Sequence, residues 1–430
     1  MLSVSQTETI IFNLVQPLKA QRDVEVVSLL TALDRILAAP VTSALDFPHW
    51  DNSAMDGYAV RYEDVKHCNE QPVVLEIVEE IPAGIEPQKS IQPGQAARIL
   101  TGAMMPVGAD TVVIQEQTQR EGNRVSILAA PKPQEFVRHR ASFYQAGSVL
   151  LSPGIMLNAP EIAILAAAQC TQMTVYRRPR VAILSTGDEL ATPDQPLQPG
   201  QIVDSNQYAL AALVAQTGAE PFQVGIVPDQ PEALKNAIAK ALQTSDLVLS
   251  SGGVSVGDYD YVDRILASLG AEIHVRAVAV KPGKPLTVAT FTPTDAHYKP
   301  VLYFGLPGNP VSALVSFWRF VQPAIKKLSG LSRSWGPTFV PARSRGELRS
   351  DGKRETYLWG QLYLVNGGYE FQLAAGSHSS GNLINLAQTN GLAVLPVGQT
   401  SVSSGEPIQV MQVGLPIDET SRKSQVASRN

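Results

Sequence analysis

The sequence predicts a multidomain α/β protein. A central, open, mostly parallel α/β sheet domain is preceded by an inserted β-rich lobe and followed by a small C-terminal β-barrel or sandwich. Three observations carry this reading. From Arg180 to Leu328 short apolar strands alternate with helical stretches, the pattern of βα units that build a parallel sheet with helices on both faces. From Pro72 to Pro133, and again from Phe339 to Val413, the chain is a run of short strands punctuated by Gly and Pro, as small β units are. A Ser/Gly/Pro stretch from Gly330 to Pro337 separates the last two regions.

Taken in order, Thr7 to Leu18 has helical spacing (Ile10, Ile11, Leu14, Val15, Leu18), with Pro17 near its end. Val24 to Ser28 is strand-like, and Thr31 to Ala38 resumes helical spacing before Pro40. Phe47 to Val60 has small polar residues and Asp56-Gly57, which suit an ordered loop feeding a strand. In the lobe, strands are expected at Val73–Glu79, Ala96–Leu100, Thr111–Gln115 and Val125–Leu128. Thr101-Gly102-Ala103 directly follows a strand end, where it serves as a plain turn or as a hydroxyl and N–H contact to an anion. Pro160 to Ala168 is an Ala-rich helix. In the centre, strands are expected at Val181–Leu184, Phe222–Val227, Asp246–Ser250, Ile273–Val280, Leu286–Phe291 and Val301–Phe304. The helices between and after them are Asn206–Gln216, Pro231–Leu242, Tyr261–Leu269 and Val311–Leu328.

In open sheets of this kind ligands sit beyond the carboxyl ends of the strands. Five loops fall there: Ser185 to Leu190 with Asp188 and Glu189, the turn at Asp229, Ser250 to Tyr261, Lys281 to Pro285, and Leu306 to Pro310. In the third, Gly252, Gly253 and Gly257 let backbone N–H groups face an anion, while Asp258 and Asp260 suit a hard cation such as Mg²⁺. One such loop reads equally well as a βα turn with capping aspartates. Five on one edge make a site. Carboxylates to hold a cation and lysines to hold an anion point to a metal-assisted step at a phosphate or another oxyanion.

Composition narrows the alternatives. Charged residues are 17% of the 430 and apolar ones 44%, enough for several real cores. A net charge of −5 argues against non-specific nucleic-acid binding, so any anion site is local. Two cysteines, Cys68 and Cys170, make neither a disulfide framework nor a zinc site. The N-terminus lacks a basic region ahead of its apolar residues, and no apolar run approaches the ~20 residues of a membrane span, so a cytoplasmic protein is expected. There is no Gly-x-Gly dinucleotide fingerprint, Walker loop, Gly-x-Ser-x-Gly elbow or His-Glu-x-x-His motif.

Taken together, the motifs resemble one family. Asp51 to Ala59, Ser185 to Leu190, Ser251 to Gly257, Lys281 to Pro285 and Leu306 to Pro310 occur in the order seen in molybdopterin molybdenumtransferases, the MoeA family that includes the gephyrin E domain. The resemblance spans about residues 5 to 415. With the breaks above, it divides the chain into a mixed region (1–45 with 141–177, the first helix packing on the centre), the lobe (46–140), a MogA-like central domain (178–329), the barrel (335–415) and a disordered tail (416–430).

The resemblance implies a molybdenum insertase, which converts adenylyl-molybdopterin and molybdate to molybdenum cofactor with release of AMP and dependence on Mg²⁺. By motif match Asp56, Thr101, Glu189, Asp229, Asp258 and Asp260 would lie at the nucleotide and metal site, with Asp229, Asp258 and Asp260 as metal ligands. The loop of Gly252, Gly253, Ser255 and Gly257 would bind substrate. Lys281, Lys284, Pro307, Pro310 and Ser312 would surround the oxyanion, joined by Arg354 and Ser380 from the barrel. The family also implies an elongated homodimer with its active site shared between subunits, and a pterin-delivering adenylyltransferase as partner, with no nucleic acid or membrane. Two other functions are weighed. A molybdopterin adenylyltransferase of the same central fold belongs to short single-domain relatives, and a gephyrin-like scaffold would not need the acidic and lysine loops.

Overall fold

The computed structural model describes residues 1–253, 259–292 and 300–419, and for 259–261 only the helical backbone. The first helix, α1 (Val4–Leu14), is set by a capping box. The Gln6 N–H donates to Ser3 Oγ at 3.2 Å, and the Ser3 N–H donates to Gln6 Oε1 at 3.0 Å. It ends earlier than the apolar spacing suggests, because Pro17 disfavours helical backbone at the residue before it. Val4 and Ile11 pack into the central domain's core. β1 (Val24–Ser28) pairs antiparallel with Gln172–Tyr176 near the end of the lobe's exit segment.

The helix expected over Thr31–Ala38 is absent. Only a 3₁₀ turn at Leu29–Thr31 forms, Asp34 takes a φ of 60°, and the Leu37 and Ala38 N–H groups donate to the carbonyls of Ile155 and Thr174. Pairing with neighbouring strands satisfies this backbone in place of helical bonds, and Leu37 is fully buried as a result.

The lobe is a six-stranded sheet of β2 (Gly57–Val60), β3 (Val73–Ile81), β4 (Gln95–Ile99), β5 (Thr111–Ile114), β6 (Thr118–Glu121) and β7 (Arg124–Ile127), in the order β5-β2-β4-β3-β7-β6. After it come α2 (Ala159–Ala167) and β8 (Gln172–Tyr176), whose Leu165, Met173 and Val175 share a core with Leu37.

The central sheet contains β9 (Arg180–Thr186), β10 (Glu220–Val227), β11 (Leu247–Ser251), β12 (Ala271–Ala277), β14 (Pro285–Phe291) and β15 (Val301–Leu306). Their spatial order is β10-β9-β11-β15-β14-β12, with the first four strands parallel and β14 antiparallel to both neighbours. The antiparallel hairpin arises because only a short loop, carrying β13 (Val280–Lys281), separates β12 from β14. α3 (Asn206–Gln216) covers one face and α4 (Pro231–Thr244) with α5 (Tyr259–Ser268) the other, each face with its own apolar core. The helix after β15 starts as α6 (Pro310–Ser316), passes through a π-helical turn at Phe317–Val321 and finishes as α7 (Gln322–Leu328). Inside that turn the buried Arg319 donates to Glu8 Oε1 at 2.6 Å and to the Tyr357 hydroxyl at 3.0 Å, tying α1, the centre and the last domain together.

The last domain is a closed barrel of β16 (Thr338–Ser344), β17 (Glu355–Val365), β18 (Gly368–Leu373), β19 (Gly391–Leu395) and β20 (Pro407–Gln412), in which β17 pairs with both β18 and β19. The segment expected as a free tail from 416 remains attached at first. β21 (Ile417–Asp418) pairs parallel with β17, and Glu419 accepts two hydrogen bonds from Arg345. Residues 420–430 lie outside the described residues.

Candidate active site

The parallel strands and β12 all end at one edge of the central sheet, so the five loops are brought to it by topology. At the end of β9, Thr186 Oγ1 donates to Asp229 Oδ1 of the neighbouring loop, and the Asp229 N–H donates to Asp188 Oδ1 at 3.1 Å. The Glu189 carboxylate folds back over Gly187, where a Cβ would lie 2.5 Å from Glu189 Oε2. Beside them Gly252 has a φ of +92°, and a Cβ there would lie 2.2 Å from the Thr186 carbonyl oxygen. Only glycine lets β11 turn this tightly against β9. Asn206 at the start of α3 donates to Ser251 Oγ and to the Gly308 carbonyl, both at 2.7 Å, which draws the Pro307–Pro310 loop onto the glycine loop.

Carboxylate and hydroxyl oxygens are the right donors for a hard cation. Among the described residues, no three His, Cys, Asp or Glu side chains gather at one point. Ser255, Gly257 and Asp258 lie outside the described residues, as does the side chain of Asp260.

The second half of the site is a cavity of about 270 Å³ between the central domain and the barrel. β13 builds it: Val280 and Lys281 pair parallel with Glu355 and Thr356 of β17, which sets the lysine loop beside Arg354. Lys281, Lys284, Ser312, Arg354 and Ser380, from four separate parts of the chain, all line it. The Arg354 guanidinium donates to the Val280 carbonyl at 3.2 Å. Gly283, at a φ of +110°, lies against Ser316, whose Oγ would be 2.8 Å from a Cβ. The turn from Gly376 to Gly381 is pinned to α6: Asn309 Nδ2 donates to Ser380 Oγ at 3.1 Å and the Val311 N–H to the Ser380 carbonyl at 3.2 Å. That orientation turns Ser380, rather than Ser377, to the cavity.

Several participants were not foreseen from sequence. Asp351 binds Lys281 Nζ at 3.0 Å, and this hydrogen bond, with one from the Lys353 N–H, holds its carboxyl below the usual carboxylate range. Seventy residues of separation hide this pair from any local pattern. Trp359 and His378 also line the cavity. In sequence Trp359 looks like an ordinary core residue of a strand. No carboxylate is among the lining residues, so the charged groups of the cavity wall are all cationic.

Asp56 and Thr101 meet in the lobe. The Thr101 N–H and hydroxyl each donate to Asp56 Oδ1 at 2.7 Å, and these bonds keep the Asp56 carboxyl below the usual range. Those bonds stay within the lobe, and neither residue lines the cavity.

An acidic, glycine-lined sheet edge beside a cationic cavity defines a protein of the class that acts on small anionic molecules at the carboxyl ends of parallel strands. Three family models match in succession: the MoeA N-terminal region (domain I and II) over residues 2–168, a probable molybdopterin binding domain over 182–327, and the MoeA C-terminal region (domain IV) over 341–413. A molybdopterin molybdenumtransferase of Nostoc sp. (strain PCC 7120) is 67% identical over 96% of this chain and 94% of its own. One from Haemophilus influenzae is 33% identical over 95% and 98%. Among solved structures, a molybdopterin biosynthesis moeA protein of Pyrococcus horikoshii aligns over 96% of this chain and all of its own, at 29% identity and a TM-score of 0.78. The chain belongs to the molybdopterin molybdenumtransferase (MoeA) family. No described helix is long and apolar enough to cross a membrane.

Proposed function

We propose that this protein is a molybdenum insertase, which takes adenylyl-molybdopterin and molybdate to molybdenum cofactor and AMP. The observation that carries the proposal is the cavity that joins Lys281, Lys284, Arg354, Ser312 and Ser380 without a carboxylate. Molybdate is a tetrahedral dianion, and ammonium, guanidinium and hydroxyl donors around a small cavity match it. The glycine loop at Gly252 and Gly253 adjoins the edge where a pyrophosphate would bind, with Pro307 and Pro310 in the loop beside it.

The carboxylates of that edge fit Mg²⁺ by donor type. Asp229 would hold it together with Asp258 and Asp260, and Glu189 would act beside them. Bound there, the ion would neutralise charge on the adenylate's phosphates. Asp56 and Thr101, kept in their own lobe, would complete the site of a partner subunit in a homodimer. A pterin-delivering adenylyltransferase would supply the substrate, and two free cysteines agree with a cytoplasmic setting.

Incubation with adenylyl-molybdopterin and molybdate, followed for AMP, is the test. Molybdate-dependent AMP release is expected. Its absence, or consumption of ATP with unadenylated pterin, would refute insertion.

A further inference from the structure

A second cavity, of about 730 Å³, lies at the opposite edge of the central sheet from the five loops. Pro179, just before β9, and Gly218, just before β10, belong to its wall, which places it at the amino-terminal ends of the parallel strands. The seven residues of β9 separate the two edges by roughly 20 Å. The mixed region contributes Gly154 to Met156, and the linker contributes Leu331 to Ser334. The Ser332 N–H donates to the Gly154 carbonyl at 2.9 Å, which fixes the linker against the mixed region.

The charged residues of this lining are Arg35, Arg177, Arg178, Lys326 and Arg333, with Asp34 and Glu161 as its two carboxylates. Two of the cations are neutralised elsewhere: Arg35 pairs with Glu25, and Arg177 with Asp23 and Asp246. Glu161 is engaged as well, since it accepts from the Asn158 N–H at 2.9 Å at the start of α2. Arg178, Lys326 and Arg333 make no ion pair among the described residues. Arg178 donates one N–H to the Gly218 carbonyl at 3.0 Å, which holds its guanidinium at the cavity wall with other donors to spare. Lys326 is half-buried, and burial pushes its ammonium down with no charged partner to offset that cost. The carboxyl ends of α3 and α7 meet here, and each favours one nearby cation. That accounts for Arg178 and Lys326, but Arg333 belongs to neither helix. Three unpaired cations around one cavity repel one another unless an anion joins them.

The size and the rest of the lining say what kind of anion. At about 730 Å³ the space far exceeds the 270 Å³ beside the lysine loop, so a bare phosphate would leave most of it empty. Ile36, Ile155 and Met156 supply an apolar part of the lining. An apolar wall with a few convergent charged groups suits a small organic molecule with one anionic end. Guanidinium and ammonium donors together suit a phosphate. We propose that this cavity binds a phosphate monoester with a flat apolar body, of the nucleoside monophosphate class, whose phosphate is held by Arg178, Lys326 and Arg333. No covalent bond is made or broken. The site is separate from the carboxyl edge of the sheet and does not rest on the molybdate reading.

The test is photolabelling of the full chain with an azido derivative of AMP, followed by peptide mapping. Label is expected in the segments Gly154 to Asn158 or Leu331 to Ser334, and AMP should compete for it at least about tenfold better than adenosine. Lys326→Gln and Arg333→Gln should each weaken AMP competition for these segments roughly tenfold, and leave any label at the Gly252 loop as in the wild type. Wild-type protein without label in the two segments overturns the proposal, as does adenosine competing as well as AMP. Label and competition unchanged in both variants remove the cations from it and overturn it too. Inorganic phosphate that competes as well as AMP overturns the monoester and leaves a free-phosphate site. If Lys326→Gln does not fold, Arg333→Gln decides, because its side chain is exposed on the linker.

Discussion

The ion pair at the cavity's rim makes the two lysines unequal, and this can be measured. Lys284 is exposed and, among the described residues, makes no ion pair, so its ammonium is available to the anion. A charge-assisted hydrogen bond contributes about 1.5–3 kcal/mol, and exposure places this one at the low end. Lys284→Ala should therefore raise the molybdate concentration for half-maximal AMP release about tenfold. Lys281 differs, since Asp351 lies 3.0 Å away with both side chains only partly exposed. Removing Lys281 deletes a cation and also leaves a bare carboxylate facing an incoming dianion, so Lys281→Ala should cost more than Lys284→Ala. Asp351→Asn should act in the opposite direction and tighten molybdate several-fold. The double variant Lys281→Ala/Asp351→Asn should recover only the part due to the bare carboxylate and so resemble Lys284→Ala. Folding should be intact throughout, because loop lysines at a surface contribute little to stability. The assay is AMP release against molybdate concentration, supported by direct titration. An unchanged molybdate dependence in Lys284→Ala, or weaker binding in Asp351→Asn, would sink the reasoning.

Three further outcomes are expected. Gly252→Ala places a Cβ 2.2 Å from a backbone oxygen at a φ of +92°, a clash no rotamer relieves. It should cost roughly 2–4 kcal/mol and abolish AMP release, and a wild-type melting curve would contradict this. Arg319→Met leaves Glu8 and Tyr357 without their shared donor, so amide exchange in Val4–Leu14 should quicken well before the barrel's does. Equal protection in variant and wild type would show that the contact does not anchor the helix. Finally, in the proposed homodimer with sites shared between subunits, Asp56→Ala and Asp260→Ala, each inactive alone, should regain activity when mixed, because one of the two sites would then be wild type. No recovery, with heterodimers demonstrated, means the site is not shared.

Much of the architecture was legible from local pattern. Strand and helix alternation from Arg180 onward marked the central sheet, since βα units bury an apolar strand between helices and their period is short. The helix Asn206–Gln216 falls where its spacing put it, with Gly218 after it. The five loops could be assigned to one edge because parallel strands in one sheet must end on the same side. Where the chain was misread, a distant partner outweighed local preference. The helical spacing of Thr31–Ala38 gave way to pairing with Ile155 and Thr174, more than a hundred residues away. Ile417 and Asp418 were held to the barrel by β17 rather than left free.

The cavity shows the same division. Its lysines, Ser312, Arg354 and a serine of the Gly376–Gly381 turn belong to motifs whose order along the chain is distinctive, so residue type and order were enough to name them. Which serine faces inward was decided only when Asn309 and Val311 bonded to Ser380. The Asp351 counter-charge met Lys281, and Trp359 and His378 joined the cavity lining, only because β13 pairs with β17 and closes the barrel against the lysine loop. Local sequence determines which groups can bind an anion. Their number, their counter-charges and the atoms left unpartnered are set by contacts between residues far apart in the chain, and those exist only once the domains have packed.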